Sequence, residues 1–251
     1  FLSAFLYDQQ FYGCCEAILQ IGIRHIPKDD KERNRFEKIA TQSPLPKGHI
    51  TYRNGEMVYE TGLIVSPEII RNFGLSGCDI DKRIITSPSK IKSEGPIVLA
   101  PGFGARDLLD NLGLRYARGQ LTWAKGEVEA PLTYGGYVIP VEDNILVGTT
   151  HDRLDGTDPF ALKTSDDEKN LENYFLKTGE RLSKSKKSSR ASVRVNTADT
   201  LPRTMKLDSA HDAQDIWLLT GLGSRGFVFA PLLAEAIVSE IMGEPSPLDT
   251  K

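Results

Sequence analysis

Apolar and polar positions along the chain follow two periods, and these periods separate predicted helices from predicted strands. Residues 2–21 carry apolar side chains at helical spacing before Gly22, so a helix is predicted there. Ser66 and Pro67 are typical of a helix start, and the SPEIIRNFG segment that they open is predicted to be helical. SDDEKNLENYFLKTGERL (165–182) has an acidic first turn and basic residues near its end, which favours a third helix.

Alternation with a period of two predicts strands, and turn residues join some of them into hairpins. Asn54-Gly55 lies between two alternating runs and predicts a tight hairpin. YVIP (137–140) and ILVGTT (145–150) flank the turn VEDN, which predicts a second hairpin. Three further segments are predicted to be strands, namely GQLTWAKG, ASVRVNTAD and DIWLLT.

Two units of strand, glycine-rich turn and helix lie about 120 residues apart. The first is PIVLAPGFGARDLLDNLG (96–113), and the second is DIWLLT with GLGSRG and a helix predicted over 230–242. A stretch rich in predicted strands lies between them. This layout predicts the α/β (α+β) class, in which a nucleotide-binding layer is interleaved with an antiparallel substrate-binding sheet.

GLGSRG (221–226) has the GxGxxG spacing of a dinucleotide-binding loop. Such a fingerprint opens a unit of roughly 30 residues and needs an acidic residue about 20 positions on, at the end of a second strand. The 25 residues that follow Gly226 hold one predicted helix and a Pro-rich segment, so the loop is not predicted to bind a pyrophosphate. Its glycines and the helix N-terminus can still meet a partial negative charge. The alternative is a tight turn that binds nothing.

Composition excludes some classes of protein. Hydrophobic residues make up 39% of the 251 residues and the formal net charge is −3, which indicates a packed core without a global positive field. No apolar stretch reaches the roughly 20 residues of a membrane span, and no His spacing indicates a metal site. Cys14, Cys15 and Cys78 lack a zinc spacing and indicate a reducing, cytoplasmic setting.

Several motifs resemble one enzyme family and occur in its order. The tail WLLTGLGSRGFVFAPLLAEAIVSEIMGEPSPLD, the turn IVLAPGFGARDLL, the segment ARGQL and the strand SVRVNTADTLP resemble FAD-dependent amine oxidoreductases of the D-amino-acid oxidase and glycine oxidase family. GSRGFVFAPLLAE with GEPSPLD is similar to the oxidoreductase half of bifunctional enzymes that make 5-methylaminomethyl-2-thiouridine in tRNA. The family's N-terminal dinucleotide fingerprint is absent from this sequence. We therefore expect a piece of a longer protein.

The resemblance implies FAD as the cofactor and a set of residues around it. The C-terminal loop and the end of an earlier strand are expected to pack backbone groups against the flavin. These residues are Ala100, Gly102, Gly221, Gly223, Ser224, Arg225, Gly226 and Phe227.

The resemblance also implies two residues that meet the substrate. Arg194 matches the arginine that binds the substrate carboxylate, and Tyr137 matches a tyrosine beside the substrate. From the residues alone there are alternatives: Arg194 could pair with Asp199 on an exposed strand face, and Tyr137 could be a cross-strand aromatic.

The family's two-domain organisation implies boundaries in this chain. The expected FAD-binding domain, incomplete at its N-terminus, comprises residues 1–30, 60–112 and 190–251. The expected substrate-binding sheet domain comprises residues 31–59 and 113–189.

The implied activity is oxidation of a secondary amine, the carboxymethylaminomethyl group of a tRNA wobble uridine. Hydride would pass to FAD, and hydrolysis of the imine would release glyoxylate. A fused or separate S-adenosylmethionine-dependent methyltransferase would act next. Two alternatives stay open, an oxidase of glycine, sarcosine or a D-amino acid, and a truncated non-catalytic domain. RLSKSKKSSR (181–190) is either a strip that contacts tRNA phosphates or a solvated, mobile loop.

Overall fold

The computed structural model describes residues 2–109, 112–154, 156, 158–207 and 215–248. The helices are α1 (Leu2–Cys14), α2 (Asp30–Gln42), α3 (Pro67–Gly74), α4 (Ala105–Leu108), α5 (Thr164–Thr178) and α6 (Gly226–Met242). Among the helices of these residues, none combines the length and the apolar character that crossing a membrane requires. The strands are β1 (Ile18–His25), β2 (Ile50–Arg53), β3 (Glu56–Val65), β4 (Ile97–Leu99), β5 (Arg115–Lys125), β6 (Leu132–Thr133), β7 (Tyr137–Val141), β8 (Asn144–Gly148), β9 (Asp152–Arg153), β10 (Ser183–Lys184), β11 (Arg190–Asn196), β12 (Arg203–Leu207) and β13 (Ile216–Thr220).

Ten of the strands in the described residues form one large, mostly antiparallel sheet. The strands follow the order β10-β5-β8-β7-β6-β1-β3-β2, and β9 and β11 also pair with β5. β5 is 11 residues long and changes partner along its length. Residues 115–121 of β5 pair with β11, whereas residues 122–124 pair with β8. One long strand thus connects β11 to the rest of the large sheet.

The large sheet is covered on one side by α5. Alternate residues of β7 and β8, Val138 and Val147, are fully buried there, and they share a core with Tyr134 and Tyr174. The residues that alternate with them along the strands, including Tyr137, lie on the opposite face because side chains alternate along a strand. That opposite face is therefore free of α5.

A small sheet of three strands is formed by β12, β13 and β4 in the described part of the chain. β13 pairs antiparallel with β12 and parallel with β4. α6 follows β13 and packs against it through a core of Trp217, Leu219, Leu233 and Ile237. The C-terminal ends of β4 and β13 lie side by side, which is where open α/β sheets bind their ligands.

The structure confirms most of the predicted elements. The hairpin at Asn54-Gly55 joins β2 to β3, and the second predicted hairpin joins β7 to β8. Ser66 caps α3 by accepting a hydrogen bond from the backbone N–H of Ile69 at 3.3 Å. The prediction for 165–182 is confirmed by α5, which ends at Gly179 in the left-handed conformation that favours glycine.

The helix predicted over residues 2–21 is wrong in its second half. α1 ends at Cys14, Glu16 has a positive φ of 56°, and β1 begins at Ile18. β1 pairs with β3 along most of its length, so partners distant in sequence outweigh a helical spacing of apolar side chains. The last helix also begins earlier than predicted, at Gly226, directly after the GLGSRG turn.

The expected domain boundaries stay a prediction. β1 lies within the expected FAD-binding range 1–30, and most of β3 lies within 60–112 or next to it, yet both strands belong to the large sheet. β11, from the expected range 190–251, pairs with β5.

Candidate functional site

A cavity of about 430 Å³ lies between the large sheet and the C-terminal ends of β4 and β13. The large sheet contributes residues of β5, β7 and β11, and the small sheet contributes the turns that follow its parallel strands. Seven of the residues predicted for the site line this cavity. They are Ala100, Gly102, Tyr137, Arg194, Gly221, Gly223 and Gly226. Their functional roles stay predictions, but the fold brings them to one place from segments that are up to 126 positions apart in the sequence (226 − 100).

Arg194 reaches the cavity from β11. Asp199, the alternative partner considered for it, is not the residue that it contacts. Arg194 Nη2 donates a hydrogen bond to Thr149 Oγ1 at 3.0 Å. Asp199 instead forms an ion pair with Arg203. Gly119 makes room for Arg194, because a Cβ there would lie 2.7 Å from Arg194 Nη1. The glycine of the ARGQL segment thus lets the guanidinium lie close to β5.

Tyr137 lines the same cavity from β7. Burial raises the pKa of its hydroxyl, and the Arg194 guanidinium pulls that pKa in the opposite direction. The net shift is upward, so the hydroxyl is protonated at neutral pH and can donate a hydrogen bond. Gly148 lies beside the ring, since a Cβ on Gly148 would be 3.1 Å from Tyr137 Cζ. Tyr137 and Arg194 therefore both offer hydrogen-bond donors to the same space.

The GLGSRG turn depends on two glycines with positive φ, 75° at Gly221 and 57° at Gly223. A Cβ on Gly221 would lie 2.7 Å from Thr197 Cγ2, and a Cβ on Gly223 would lie 2.0 Å from Asn196 Oδ1. Both conformation and space thus require glycine at these positions. The turn also holds β11, because the Gly223 N–H donates to the Val195 carbonyl oxygen at 2.8 Å.

Two backbone amides of the loop expected to meet the flavin are hydrogen-bonded within the protein, and the role of the loop at the flavin stays a prediction. The N–H of Gly223 is used by Val195, and the N–H of Arg225 donates to the Leu222 carbonyl oxygen at 3.0 Å. Both groups serve the fold of the turn. The lining at the start of α6 comes from Gly226 instead, and no side chain caps this helix.

Three predicted residues lie outside the cavity lining. The Arg225 guanidinium donates to the Thr200 carbonyl oxygen and stacks over the Phe229 ring, with its Cζ 5.4 Å from the ring centroid. Phe227 is 51% exposed, and its carbonyl oxygen accepts a hydrogen bond from the Tyr12 hydroxyl at 2.6 Å. Ser224 is exposed on the turn. Contributions of these three residues to cofactor binding remain predictions.

The ARGQL segment has a second role, which the sequence analysis missed. Arg118 is buried, and its guanidinium pairs with the Asp166 carboxylate and donates to carbonyl oxygens of residues 159 and 161. Gln120 is also buried and donates from Nε2 to Asp167 Oδ1 at 2.8 Å. The acidic first turn of α5 is thus bound to β5. This contact fixes the strand that carries Gly119.

Asp167 is the hub of this buried network. Burial alone would raise the pKa of its carboxyl, but hydrogen bonds from Lys184, Ser189, Thr122 and Gln120 outweigh burial and lower it. The carboxylate is therefore ionised and bound by β5 and by the segment before β11. Lys184 and Ser189 thus tie segment 181–190 to this network, and contact of the segment with tRNA phosphates stays a prediction.

Sequence reasoning also missed several residues of the cavity wall. Leu121, Thr149, Arg190, Ser192 and Thr220 all line it. A signal for two of them was present, because residues 190, 192 and 194 must share one face of any strand. No local pattern could have pointed to Thr149 or Thr220.

A family model described as FAD dependent oxidoreductase matches residues 69–240, about two thirds of the chain. The chain belongs to the FAD-dependent oxidoreductase family. The matched range includes every strand that lines the cavity. The family that the sequence motifs resemble is therefore confirmed.

Two relatives of this oxidoreductase carry the same name, tRNA 5-methylaminomethyl-2-thiouridine biosynthesis bifunctional protein. The chain is 39% identical over 173 residues to the protein of Caulobacter sp. (strain K31), an alignment that covers 66% of this chain and 28% of the relative. It is 27% identical over 262 residues to the protein of Maricaulis maris (strain MCS10), an alignment that covers 96% of this chain and 42% of the relative. The chain thus spans less than half the length of these relatives.

Two solved structures share the fold of this chain. Iminodiacetate oxidase from Chelativorans sp. BNC1 has a TM-score of 0.75 and 14% identity, over 98% of this chain and 80% of that one. Glycine oxidase from Geobacillus kaustophilus has a TM-score of 0.75 and 13% identity, over 97% of this chain and 79% of that one. The predicted α/β (α+β) class is confirmed by this likeness in fold.

The cavity fits the flavin end of FAD. A Cβ on Gly102 would meet no protein atom within 4 Å, so the backbone there is open to a ligand. The Thr220 hydroxyl is buried in the cavity wall and has no hydrogen-bond partner among the described residues. For the adenosine diphosphate end, the described residues offer no strand–GxGxxG–helix–strand unit, because GLGSRG leads into α6 without a following strand.

The 251-residue polypeptide expressed by itself is expected to bind FAD weakly or not at all. The physical reason is that a dinucleotide is held mainly at its pyrophosphate, by a glycine-rich loop and a helix N-terminus. Flavin absorbance of the purified chain, titrated with FAD, measures this directly. Stoichiometric flavin in the purified chain would contradict the expectation.

Proposed function

We propose that this chain is the oxidoreductase part of an enzyme that removes the carboxymethyl group from carboxymethylaminomethyl-uridine at the tRNA wobble position. The observation that carries the proposal is the cavity in which Arg194 and Tyr137 face the ends of β4 and β13. A guanidinium and a protonated phenol suit a carboxylate. The opposite wall suits a flavin.

The proposed reaction requires the protein to bind the carboxylate of the substrate and to orient its α-carbon. When bound, FAD would supply the hydride acceptor for the α-carbon of the carboxymethyl group. Arg194 binds the carboxylate through paired N–H donors, and Tyr137 adds a third donor. Loss of the hydride and of the amine proton leaves a substrate imine. Water then splits the imine into glyoxylate and a primary amine on the nucleoside.

Support for tRNA as the substrate comes from the relatives, whose name describes tRNA modification. Segment 181–190 is basic and ends at Arg190, which lines the cavity, but several of its cations have partners in the protein. Lys184 pairs with Asp167, and Lys187 lies over the Trp123 ring at 4.4 Å. The segment thus presents a basic surface that is partly held by contacts within the protein, which supports binding of a structured RNA.

A methyltransferase would complete the reaction sequence. The relatives are described as bifunctional, and their length exceeds that of this chain. The primary amine that the oxidation leaves is a nucleophile for an S-adenosylmethionine-dependent methyl transfer. We propose that such an activity, fused or separate, consumes this product.

Arg194→Ala in the FAD-loaded protein is expected to lower kcat/KM at least tenfold while flavin content stays normal. A hydrogen-bonded charge is worth about 1.5–3 kcal/mol, which corresponds to roughly ten- to 150-fold. Flavin reduction followed by absorbance under anaerobic conditions measures the rate. Arg53→Ala, in β2 at the far end of the large sheet, is the control and should leave the rate unchanged. An unaltered rate in Arg194→Ala would remove this residue from the site.

The substrate class is tested by comparing the modified nucleoside with free amino acids as reductants of the same holoenzyme. Carboxymethylaminomethyl-uridine, free or in tRNA, is expected to bleach the flavin, whereas free glycine and sarcosine are expected to do so much more slowly. Faster reduction by the free amino acids would favour a small-molecule amine oxidase. A holoenzyme that none of these amines reduces would point to a non-catalytic domain.

A further inference from the structure

β11 places a second arginine in the cavity wall. Arg190, Ser192 and Arg194 stand at alternate positions of one strand, and all three line the cavity. Strand residues rise about 3.3 Å each, so the Cα atoms of the two arginines are about 13 Å apart. β11 therefore contributes two arginines to the cavity wall.

The two arginines differ in their surroundings. Arg194 is partly buried and donates to Thr149. Arg190 is exposed, and the residue across from it in the strand register is Leu121, which has no charge to offer. Among the residues that the structure describes, no carboxylate forms an ion pair with Arg190. Arg190 therefore lines the cavity without an ion-pair partner among the described residues.

We infer that Arg190 is a second anion-binding residue, which holds a phosphate of the wobble nucleotide while Arg194 holds the carboxylate. This inference rests on the proposed function. The modified nucleotide carries anions at both ends, a carboxylate on the aminomethyl arm and phosphates on the ribose. A small amine such as glycine has one anionic group, its carboxylate, and Arg194 alone is sufficient to bind it. Arg190 therefore selects a nucleotide over a free amino acid.

The position of Arg190 in the chain agrees with this role. It directly follows the basic segment 181–189, which lies against β5 through the β10 pairing and the Asp167 network. Lys186 and Lys187 are exposed on that segment. An RNA strand whose phosphate meets Arg190 can therefore continue along these lysines, away from the cavity, without crossing an acidic surface of β11.

The test compares two substrates of the FAD-loaded full-length protein, carboxymethylaminomethyl-uridine and its 3′,5′-bisphosphate. The ratio of kcat/KM for the bisphosphate to kcat/KM for the nucleoside measures how much the phosphates increase catalytic efficiency. Arg190→Gln is expected to lower this ratio at least tenfold, as loss of a charge-assisted hydrogen bond does. Arg190→Lys should restore part of it. Arg53→Gln is the control, because Arg53 lies in β2 at the far end of the large sheet and does not line the cavity.

A binding measurement gives a second readout that needs no turnover. An anticodon stem–loop RNA is titrated with the protein at several salt concentrations. Arg190→Gln should reduce the slope of log affinity against log salt by about 0.7, the value for one single-strand phosphate contact. An unchanged kcat/KM ratio and salt slope in Arg190→Gln would overturn the inference. A nucleoside that fails to reduce the flavin of the unaltered protein would instead overturn the proposed function.

Discussion

Gly223→Val is expected to destabilise the protein by several kcal/mol and to empty the flavin site. The positive φ of 57° is a conformation that a β-branched residue rarely adopts, and it costs about 1–2 kcal/mol. The new side chain would also displace Asn196, whose Oδ1 lies 2.0 Å from the Cβ position. Overpacking of this kind adds about 1–3 kcal/mol. Thermal unfolding and the flavin content of the full-length protein measure the two effects.

Matched variants separate the two causes at Gly223. Gly113 has a similar φ of 60° and open space around its Cβ position, so Gly113→Ala should show the backbone cost alone. Combining Asn196→Ala with Gly223→Ala should remove the steric part and leave a similar cost. Arg225→Ala, which loses a hydrogen bond to Thr200, should do less than Gly223→Val. A Gly223→Val protein with normal stability and flavin would show that the turn is not required.

Asp8→Asn is expected to stabilise the protein at alkaline pH and to have no stabilising effect at acidic pH. Asp8 in α1 is 4% exposed, and its Oδ1 has no hydrogen-bond partner among the described residues. Burial raises the pKa of this carboxyl from its ordinary value of 3.8 to about 7. The folded state thus binds the proton more tightly than the unfolded state. Stability from this group is fully present below pH 3.8 and is lost as the pH rises to about 7.

The magnitude follows from the shift in pKa. The rise of the pKa from 3.8 to about 7 corresponds to a gain of up to about 4 kcal/mol for Asp8→Asn at pH 8. Urea unfolding at pH 8 and at pH 4 measures the free energy of unfolding of both proteins. Asp143→Asn, in the exposed turn between β7 and β8, is the control and should change little. A gain that is equal at the two pH values would refute the titration argument.

The candidate site was predictable from the sequence where a residue's chemistry is tied to a local motif. GLGSRG needs its glycines because the chain turns sharply from strand to helix, and this need is visible in the sequence alone. Arg194 was recognised because it stands in a strand with family-like flanks. Gly119 lies in a recognised segment, but the need for a glycine there was not visible in the sequence. A Cβ at this position would lie 2.7 Å from Arg194 Nη1, a contact that depends on two strands being adjacent.

Other features had no local signal. Asp166 and Asp167 look like a solvated, dipole-favouring first turn of α5, but the fold buries them against Arg118 and Gln120. Residues 18–21 fit the apolar spacing of a helix, yet they form a strand because β3 lies beside them. In both cases a partner far along the chain changes the free energy of a segment by more than its own propensity does.

By itself, the sequence determined the α/β (α+β) class, most of the helices and hairpins, the FAD-dependent oxidoreductase family and the glycine-rich turn. These follow from periodicity, caps and short motifs, which are properties of neighbouring residues. Only the tertiary structure decided that Arg190 and Thr220 share a cavity with Arg194, and that Gly223 and Arg225 use their amides to hold the turn. The physical reason is that hydrogen bonds and burial depend on which strands meet, and that choice is made by the whole chain.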